Sequence, residues 1–328
     1  MPGERQVVVT YPADKESAAV IAATLGSDAE PVFLHGLPEA RRAAVLSRAV
    51  ALIGWNPSRE LPRGALDDAP ELRFIQLLSA GADSVDFRAI PGHVMVAGNV
   101  GAYAAPMAEH VLAMALALAR RLPQRHAELA RGEFNQREPL MTLDGAVCAI
   151  LGFGGIGSAT ASLMRACGAS IHAVNTSGRT SEPVDFAATL ADLDQVLAAA
   201  DVLVIALPLT RTTRGLIGAR ELSLMKPGAI LINVARGAIV DERALYEHLV
   251  ASPAFSAGID AWWHEPPADS PFRTDFPFFE LPNVLGSPHD SAIVPGVLRA
   301  GVARAAANVR RFLRGDPVTG LMRPQDYE

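Results

Sequence analysis

Ala146-Val147-Cys148-Ala149-Ile150-Leu151-Gly152-Phe153-Gly154-Gly155-Ile156-Gly157 is the stretch on which the fold turns. An apolar run of strand length ends in a G-x-G-x-x-G turn, and Ser158 to Cys167 continue with helical spacing. Strand, glycine turn and helix in that order open a βαβ unit of the dinucleotide-binding kind. The first glycine permits the tight turn, the second lets a pyrophosphate approach the backbone, and the third lets helix and strand pack closely. The turn falls near the middle of the chain, so another unit is built before it.

The chain has 328 residues, enough for two domains of ordinary size. Half the residues are apolar, a fifth are charged and the net charge is −6, the profile of a globular protein. Lys15 and Lys226 are the only lysines, and no basic stripe or aromatic-plus-basic cluster invites nucleic acid. Cys148 and Cys167 read as small buried residues in a reducing compartment rather than as a disulfide framework. Met1 to Pro12 lacks the pattern of a secretory leader. The most apolar stretch, Val111 to Ala119, is too short to span a bilayer. A cytoplasmic protein without membrane contact is expected, and no metal site is assigned.

Working outward from the turn, the first hundred residues alternate strand-like runs with helical segments. Val7 to Thr10, Pro31 to Leu34, Ala51 to Trp55, Phe74 to Leu78 and Val94 to Ala97 read as strands. Glu16 to Leu25 and Pro38 to Ala49 read as helices. A long alanine-rich helix, Pro106 to Leu122, follows, and then a polar segment, Pro123 to Leu143. Beyond the turn, strands are expected at Ser170 to Val174, Asp201 to Leu207, Ala229 to Val234, Ser256 to Ala261 and Asn283 to Gly286, with a final helix from Pro295 to Leu313. Such alternation predicts an α/β protein of two doubly wound parallel-sheet domains, whose ligands bind beyond the carboxyl ends of the strands.

Three of those ends carry reactive groups. The strand Ile230 to Val234 leads into Ala235-Arg236-Gly237, Ala257 to Ile259 leads through Asp260 to Glu265, and Asn283 to Gly286 leads into Ser287-Pro288-His289. The planar fork of Arg236 can hold a carboxylate and a carbonyl oxygen. His289 can protonate that carbonyl oxygen as hydride reaches its carbon, and recover the proton in reverse. Glu265, bonded to the other ring nitrogen, would fix the tautomer and favour imidazolium. Each residue alone has an ordinary reading: a solvated cation, a loop histidine, a turn cap. Adjacent His264 is a competing imidazole, but its neighbour Trp263 favours a packing or surface role. Joint placement on successive strand ends favours chemistry on a 2-oxo acid.

At these residues the chain resembles the D-isomer-specific 2-hydroxyacid dehydrogenase family, of the glyoxylate/hydroxypyruvate reductase kind, over nearly its whole length. The resemblance rests on Leu151 to Gly157, Leu207 to Thr213 with Gly215 to Ile217, Met225 to Gly237, Val240 to Leu245, Asp260 with Glu265-Pro266, and Pro288-His289. Ser79 to Asp83 with Asp86, and Ala108-Glu109-His110 ending in Arg120, match two further family patterns. It implies a Rossmann nucleotide domain, 101–289, inserted in a flavodoxin-like substrate domain, 1–100 plus 290–328, with the active site in the cleft between them. Arg236, Glu265 and His289 match the catalytic set, and Asp260 matches the acid that holds the nicotinamide carboxamide. Gly152, Gly154, Gly155, Ile156, Gly157, Leu207, Pro208, Thr213, Val234 and Ala235 complete the implied cofactor contacts. Backbone N–H groups around Ala80 and Gly81 would bind the substrate carboxylate. The helix near 106–122 and the segment after it match the family's dimer contact, implying a homodimer acting on a small 2-oxo acid.

Two departures qualify the resemblance. NAD-using members carry an acid at the end of the second nucleotide-domain strand, where this chain reads Asn175-Thr176-Ser177-Gly178-Arg179. Without an acid to repel a 2′-phosphate, and with hydroxyls and Arg179 nearby, NADP is expected over NAD; alternatively Arg179 faces solvent and the site accepts either. Tyr103 stands where many members have a small residue or asparagine. It either enters the cleft mouth and touches substrate or packs under the hinge. Formate dehydrogenases share the architecture but place glutamine at Glu265 and asparagine at Tyr103, and phosphite-oxidising relatives place lysine at Ala80. A non-enzymatic NAD(P) sensor on the same fold is the remaining rival.

Overall fold

The computed structural model describes residues 6–267 and 270–327. Their contacts divide the chain into two compact units, Met1–Tyr103 with Pro295–Glu328, and Ala104–Val294. Each is an α/β unit with an all-parallel sheet.

In the first unit, β1 (Gln6–Val9), β2 (Glu30–Phe33), β3 (Ala49–Gly54), β4 (Phe74–Leu77) and β5 (Met95–Ala97) run in the order β2-β1-β3-β4-β5. This is the flavodoxin-like order. The central strands β1, β3 and β4 are almost wholly buried, as expected for strands covered on both faces. One face receives the helix Val297–Arg314 through Val302, Ala305, Ala306 and Val309, and Phe312 stacks on Phe74 at 4.9 Å. The carboxyl-terminal segment thus completes the core begun by the amino-terminal strands. Buried Asn308 ties the two, its amide donating to Gln76 Oε1 at 2.6 Å and to the Thr319 carbonyl.

The second unit contains β6 (Val147–Leu151), β7 (Ser170–Val174), β8 (Phe186–Ala188), β9 (Val202–Ile205), β10 (Ile230–Asn233), β11 (Ser256–Ile259) and β12 (Val284–Gly286), ordered β12-β11-β10-β9-β6-β7-β8. Chain order reverses between β6 and β9, and ligands of such sheets bind at that switch point. The glycine turn leaves β6 there. Gly152 has φ +98° and its missing Cβ leaves room for the Ala206 carbonyl; a Cβ on Gly157 would collide with the Gly152 carbonyl and crowd Ile150. These contacts supply the tight turn and the close helix–strand packing expected of the first and third glycines.

Several boundaries differ from expectation. The helix after the turn is Gly155–Ala166, three residues earlier than Ser158, because glycines depress the helical signal without preventing a helix that tertiary packing supports. The long helix is Ala104–Ala119; Arg121 turns left-handed (φ 49°) and a separate helix, Leu122–Ala130, occupies the segment expected to be merely polar. Pro123 fits its first turn, where no N–H is needed. Strand β8 and the helices Leu193–Ala199, Ala219–Leu224 and Glu242–Ala251 are additional to the elements expected from sequence.

Candidate active site

The carboxyl edge of the larger sheet gathers the reactive side chains through loops braced by their own polar groups. After β10, Asn233 accepts from the Ala235 N–H at 3.0 Å and donates to the Arg236 carbonyl at 2.9 Å. A buried asparagine therefore shapes the turn carrying Val234, Ala235 and Arg236, and Arg236 itself donates to the Ala235 carbonyl at 2.7 Å. After β9, buried Thr213 donates to the Pro208 carbonyl at 2.7 Å and accepts from the Thr210 N–H at 2.8 Å. That pair closes the Leu207–Thr213 loop.

Glu265 and His289 come together from the loops after β11 and β12. The Nδ1–H of His289 donates to Glu265 Oε1 at 2.7 Å, and the same oxygen accepts from the Trp262 N–H at 3.0 Å. Burial alone would raise the Glu265 pKa. Hydrogen bonds from His289 and Trp262, with the charges of His289 and Arg236, instead hold it below its ordinary value. The bond to Glu265 raises the His289 pKa, against burial and the charge of Arg236. The pair thus favours carboxylate beside imidazolium, with Nδ1 engaged by Glu265. His289 is one of two non-glycine residues with positive φ among those described, at 53°. A left-handed backbone costs roughly 1–2 kcal/mol, strain held here by the packed strands and the Glu265 bond.

Beside this dyad lies a cavity of about 420 Å³ walled by Trp262, Phe272, Phe279 and Pro288 as well as Glu265 and His289. Trp262 anchors the aromatic wall: its Nε1–H donates to the Ser287 carbonyl at 2.8 Å, and Phe272 meets it edge-on at 5.1 Å. Phe272 and Phe279 remain exposed at the rim. The competing imidazole, His264, lies on the surface, 3.4 Å from Asp275.

The glycine turn and Asp260 fit a dinucleotide. A Cβ on Gly154 would meet nothing within 4 Å, so the backbone there is open to close approach, next to the amino terminus of the helix that begins at Gly155 and Ile156. Asp260 is fully buried, yet its Oδ2 has no hydrogen-bond partner among the described residues. An orphaned buried carboxylate oxygen is costly and suits a ligand amide donor.

Three further expected contacts, at Asn175, Ala80–Gly81 and Tyr103, are bonded within their own units. Asn175 turns inward on its own loop: its Oδ1 accepts from the N–H groups of Ser177 (3.0 Å) and Gly178 (2.8 Å), and its amide donates to the Arg179 carbonyl at 2.8 Å. It organises the turn that leaves Thr176, Ser177 and Arg179 exposed. In the first unit, Ser79 Oγ donates to the Gly81 carbonyl at 2.8 Å, pinning the Ala80–Gly81 turn. Tyr103, considered for substrate contact, donates to the Leu78 carbonyl at 2.7 Å and packs its ring over Gly301. Burial, with Tyr11 nearby, pushes its hydroxyl up to about 12. These contacts are those of the packed alternative. Sequence reasoning gave no role to Asn233 or to Ser287, which donates to Asp260; a polar residue ending an otherwise apolar strand was the available signal for Asn233.

Residues 112–291 match the family described as D-isomer specific 2-hydroxyacid dehydrogenase, NAD binding domain. Glycerate dehydrogenase of Methylorubrum extorquens is 30% identical over 276 residues, spanning 82% of this chain and 83% of that protein. D-3-phosphoglycerate dehydrogenase of Methanocaldococcus jannaschii is 30% identical over 260 residues, 78% of this chain but 48% of that protein. The chain thus spans about half the length of the phosphoglycerate dehydrogenases it matches. A D-isomer-specific 2-hydroxyacid dehydrogenase of Xanthobacter autotrophicus Py2, solved with NADPH and MES, superposes with a TM-score of 0.81 at 25% identity, covering 99% of this chain and 100% of that one. Glycine turn, strand-end triad and these matches agree: the chain belongs to the D-isomer-specific 2-hydroxyacid dehydrogenase family.

Proposed function

We propose that this protein reduces small 2-oxo acids to D-2-hydroxy acids with NADPH in preference to NADH, glyoxylate and hydroxypyruvate being the leading substrates. The observation that carries the reading is the His289–Glu265 pair at 2.7 Å on the strand edge that also bears Arg236. Bound nicotinamide supplies the hydride. Glu265 holds His289 as imidazolium, so Nε2–H can protonate the carbonyl oxygen; in the opposite direction the neutral ring takes the hydroxyl proton. Arg236 pairs with the substrate carboxylate through its planar fork, and the Ala80–Gly81 turn is a further candidate for carboxylate binding through its N–H groups. Asp260 would accept from the carboxamide, and Ser177 and Arg179 would meet a ribose 2′-phosphate.

The aromatic cavity beside the dyad favours a second reading, in which bulkier aryl or branched 2-oxo acids are the better substrates. Its about 420 Å³ exceeds what the single hydrogen of glyoxylate requires. Following NADPH and NADH oxidation with glyoxylate, hydroxypyruvate, pyruvate and phenylpyruvate, with chiral analysis of the products that have a stereocentre, tests both readings. No turnover with any acid would refute them together and favour a nucleotide sensor. A homodimer is proposed through the exposed Leu122, Leu129 and Phe134; a monomer by light scattering at assay concentration would reject it. No described helix is long and apolar enough to cross a membrane. Buried Cys148 suits the reducing, cytoplasmic setting proposed here.

A further inference from the structure

Asp260 is the buried carboxylate of the larger sheet edge, and one of its oxygens is held by an unusual chain of contacts. Ser287 Oγ lies 2.6 Å from Asp260 Oδ1, and His110 Nε2 lies 2.9 Å from the same Ser287 Oγ. The Asp290 N–H adds a third contact, at 3.2 Å to Oδ1. Oδ2 is left with no partner among the described residues. Ser287 donates its single hydrogen to Oδ1. The hydroxyl lone pairs then face His110, whose Nε2 must carry a hydrogen and donate it.

Packing explains how a histidine so distant in sequence reaches this point. Gly258 of β11 lets the helix Ala104–Ala119 come close, with Met114 and Leu118 against the position of its missing Cβ. One turn toward the start of that helix, His110 reaches the carboxyl end of β11. Ser287 arrives from β12, the neighbouring strand. Holding those two strands together does not require the side-chain contact: Ala257, Gly258 and Ile259 already pair with Val284, Leu285 and Gly286, and the Ser287 N–H donates to the Ile259 carbonyl at 3.0 Å. The side-chain chain from His110 to Asp260 therefore does something other than join strands.

We propose that Ser287 and His110 are positioning residues for the nicotinamide carboxamide, acting through Asp260. With Oδ1 tethered by Ser287 and the Asp290 N–H, the carboxylate cannot rotate, and Oδ2 alone is left to accept from an incoming amide. His110 orients the Ser287 hydroxyl so that its hydrogen points at Oδ1 rather than elsewhere. The inference rests on the reading of Asp260 as the carboxamide acceptor, and its test separates the two.

The test measures affinity by calorimetry for three ligands: oxidised cofactor, its 3-acetylpyridine analogue and ADP-ribose. The analogue keeps a carbonyl but lacks the amide donor, and ADP-ribose lacks the ring. In the wild type the carboxamide cofactor should bind about tenfold tighter than the analogue. Ser287→Ala should bring that ratio close to unity and leave ADP-ribose affinity within about twofold, while Ser287→Thr, which retains a hydroxyl, keeps the ratio. His110→Leu should lower the ratio and His110→Gln, which keeps an N–H donor, should restore it; these variants also serve if Ser287→Ala does not fold. A wild type indifferent to the amide would overturn the Asp260 reading and the inference with it. A wild type that discriminates, with Ser287→Ala and His110→Leu discriminating equally, would overturn the inference alone.

Discussion

The two ends of the larger sheet's carboxyl edge are built by different means. At the β10–β12 end, polar side chains bridge separate elements: Glu265 to His289 and Ser287 to Asp260 between strand-end loops, and His110 of the helix Ala104–Ala119 to Ser287. At the β7 end, the loop 175–179 is closed by Asn175 bonding to its own next residues, and the side chains that would meet a ligand are exposed. Proton transfer needs donor and acceptor held within a few tenths of an ångström, which long-range bracing provides. Discrimination of a phosphate needs charge at the right place and tolerates a mobile side chain. Substitutions at the braced end should therefore damage rate, whereas those at the self-closed end should alter cofactor choice.

The largest expected effect is at the braced end. His289→Ala should lower kcat by ~10²–10⁴-fold, the usual worth of a positioned acid–base group, with cofactor affinity by calorimetry nearly unchanged; equal loss of both would make His289 structural. Glu265→Gln should slow reduction at neutral pH by about tenfold and also change the pH profile. Reduction uses imidazolium, so its rate falls as pH rises through the His289 pKa. Removing the carboxylate removes the principal cause that raises this pKa, while burial and Arg236 still lower it. The fall in reduction rate should accordingly move to lower pH; a profile unchanged by the substitution would separate Glu265 from the titrating group.

Smaller effects are expected at the β7 end. Arg179→Ala should weaken NADPH by about tenfold and NADH hardly at all, read from KM for each cofactor. Equal losses would sever the loop from phosphate recognition. Asn175→Asp should shift preference toward NADH by about threefold, since a carboxylate keeps the bonds accepted from Ser177 and Gly178, gives up the one donated to the Arg179 carbonyl, and repels a 2′-phosphate. An unchanged KM ratio would place the 2′ position away from this loop.

How much of this was legible before the structure follows the same division. Apolar strands ending in Arg236, Asp260 and His289 can be recognised because an apolar run and the reactive residue after it are local features of the chain. The β6–glycine–helix unit is legible for the same reason, apart from its helix start, where Gly155 and Gly157 hide the helical pattern. Strand β8 has three residues and only one of them buried, so periodicity offers little to detect. Helix Leu122–Ala130 buries no residue at all and shows no pattern of core positions. The His110–Ser287 contact joins residues 177 apart in sequence, a pairing that exists only once the helix has packed against β11. Asn175 reads as a ligand contact by position; the bonds its amide makes within its own loop depend on backbone geometry that the sequence does not display.

The pH dependence of kcat/KM in both directions, 2-oxo acid reduction and D-2-hydroxy acid oxidation, is the most direct test of the central claim that one imidazole held by Glu265 passes the proton. If His289 is that group, reduction falls and oxidation rises with pH through a single shared pKa lying above the ordinary imidazole value, and both dependences vanish in His289→Asn. Two unrelated pKa values, or a reduction rate that climbs with pH through this range, would contradict it.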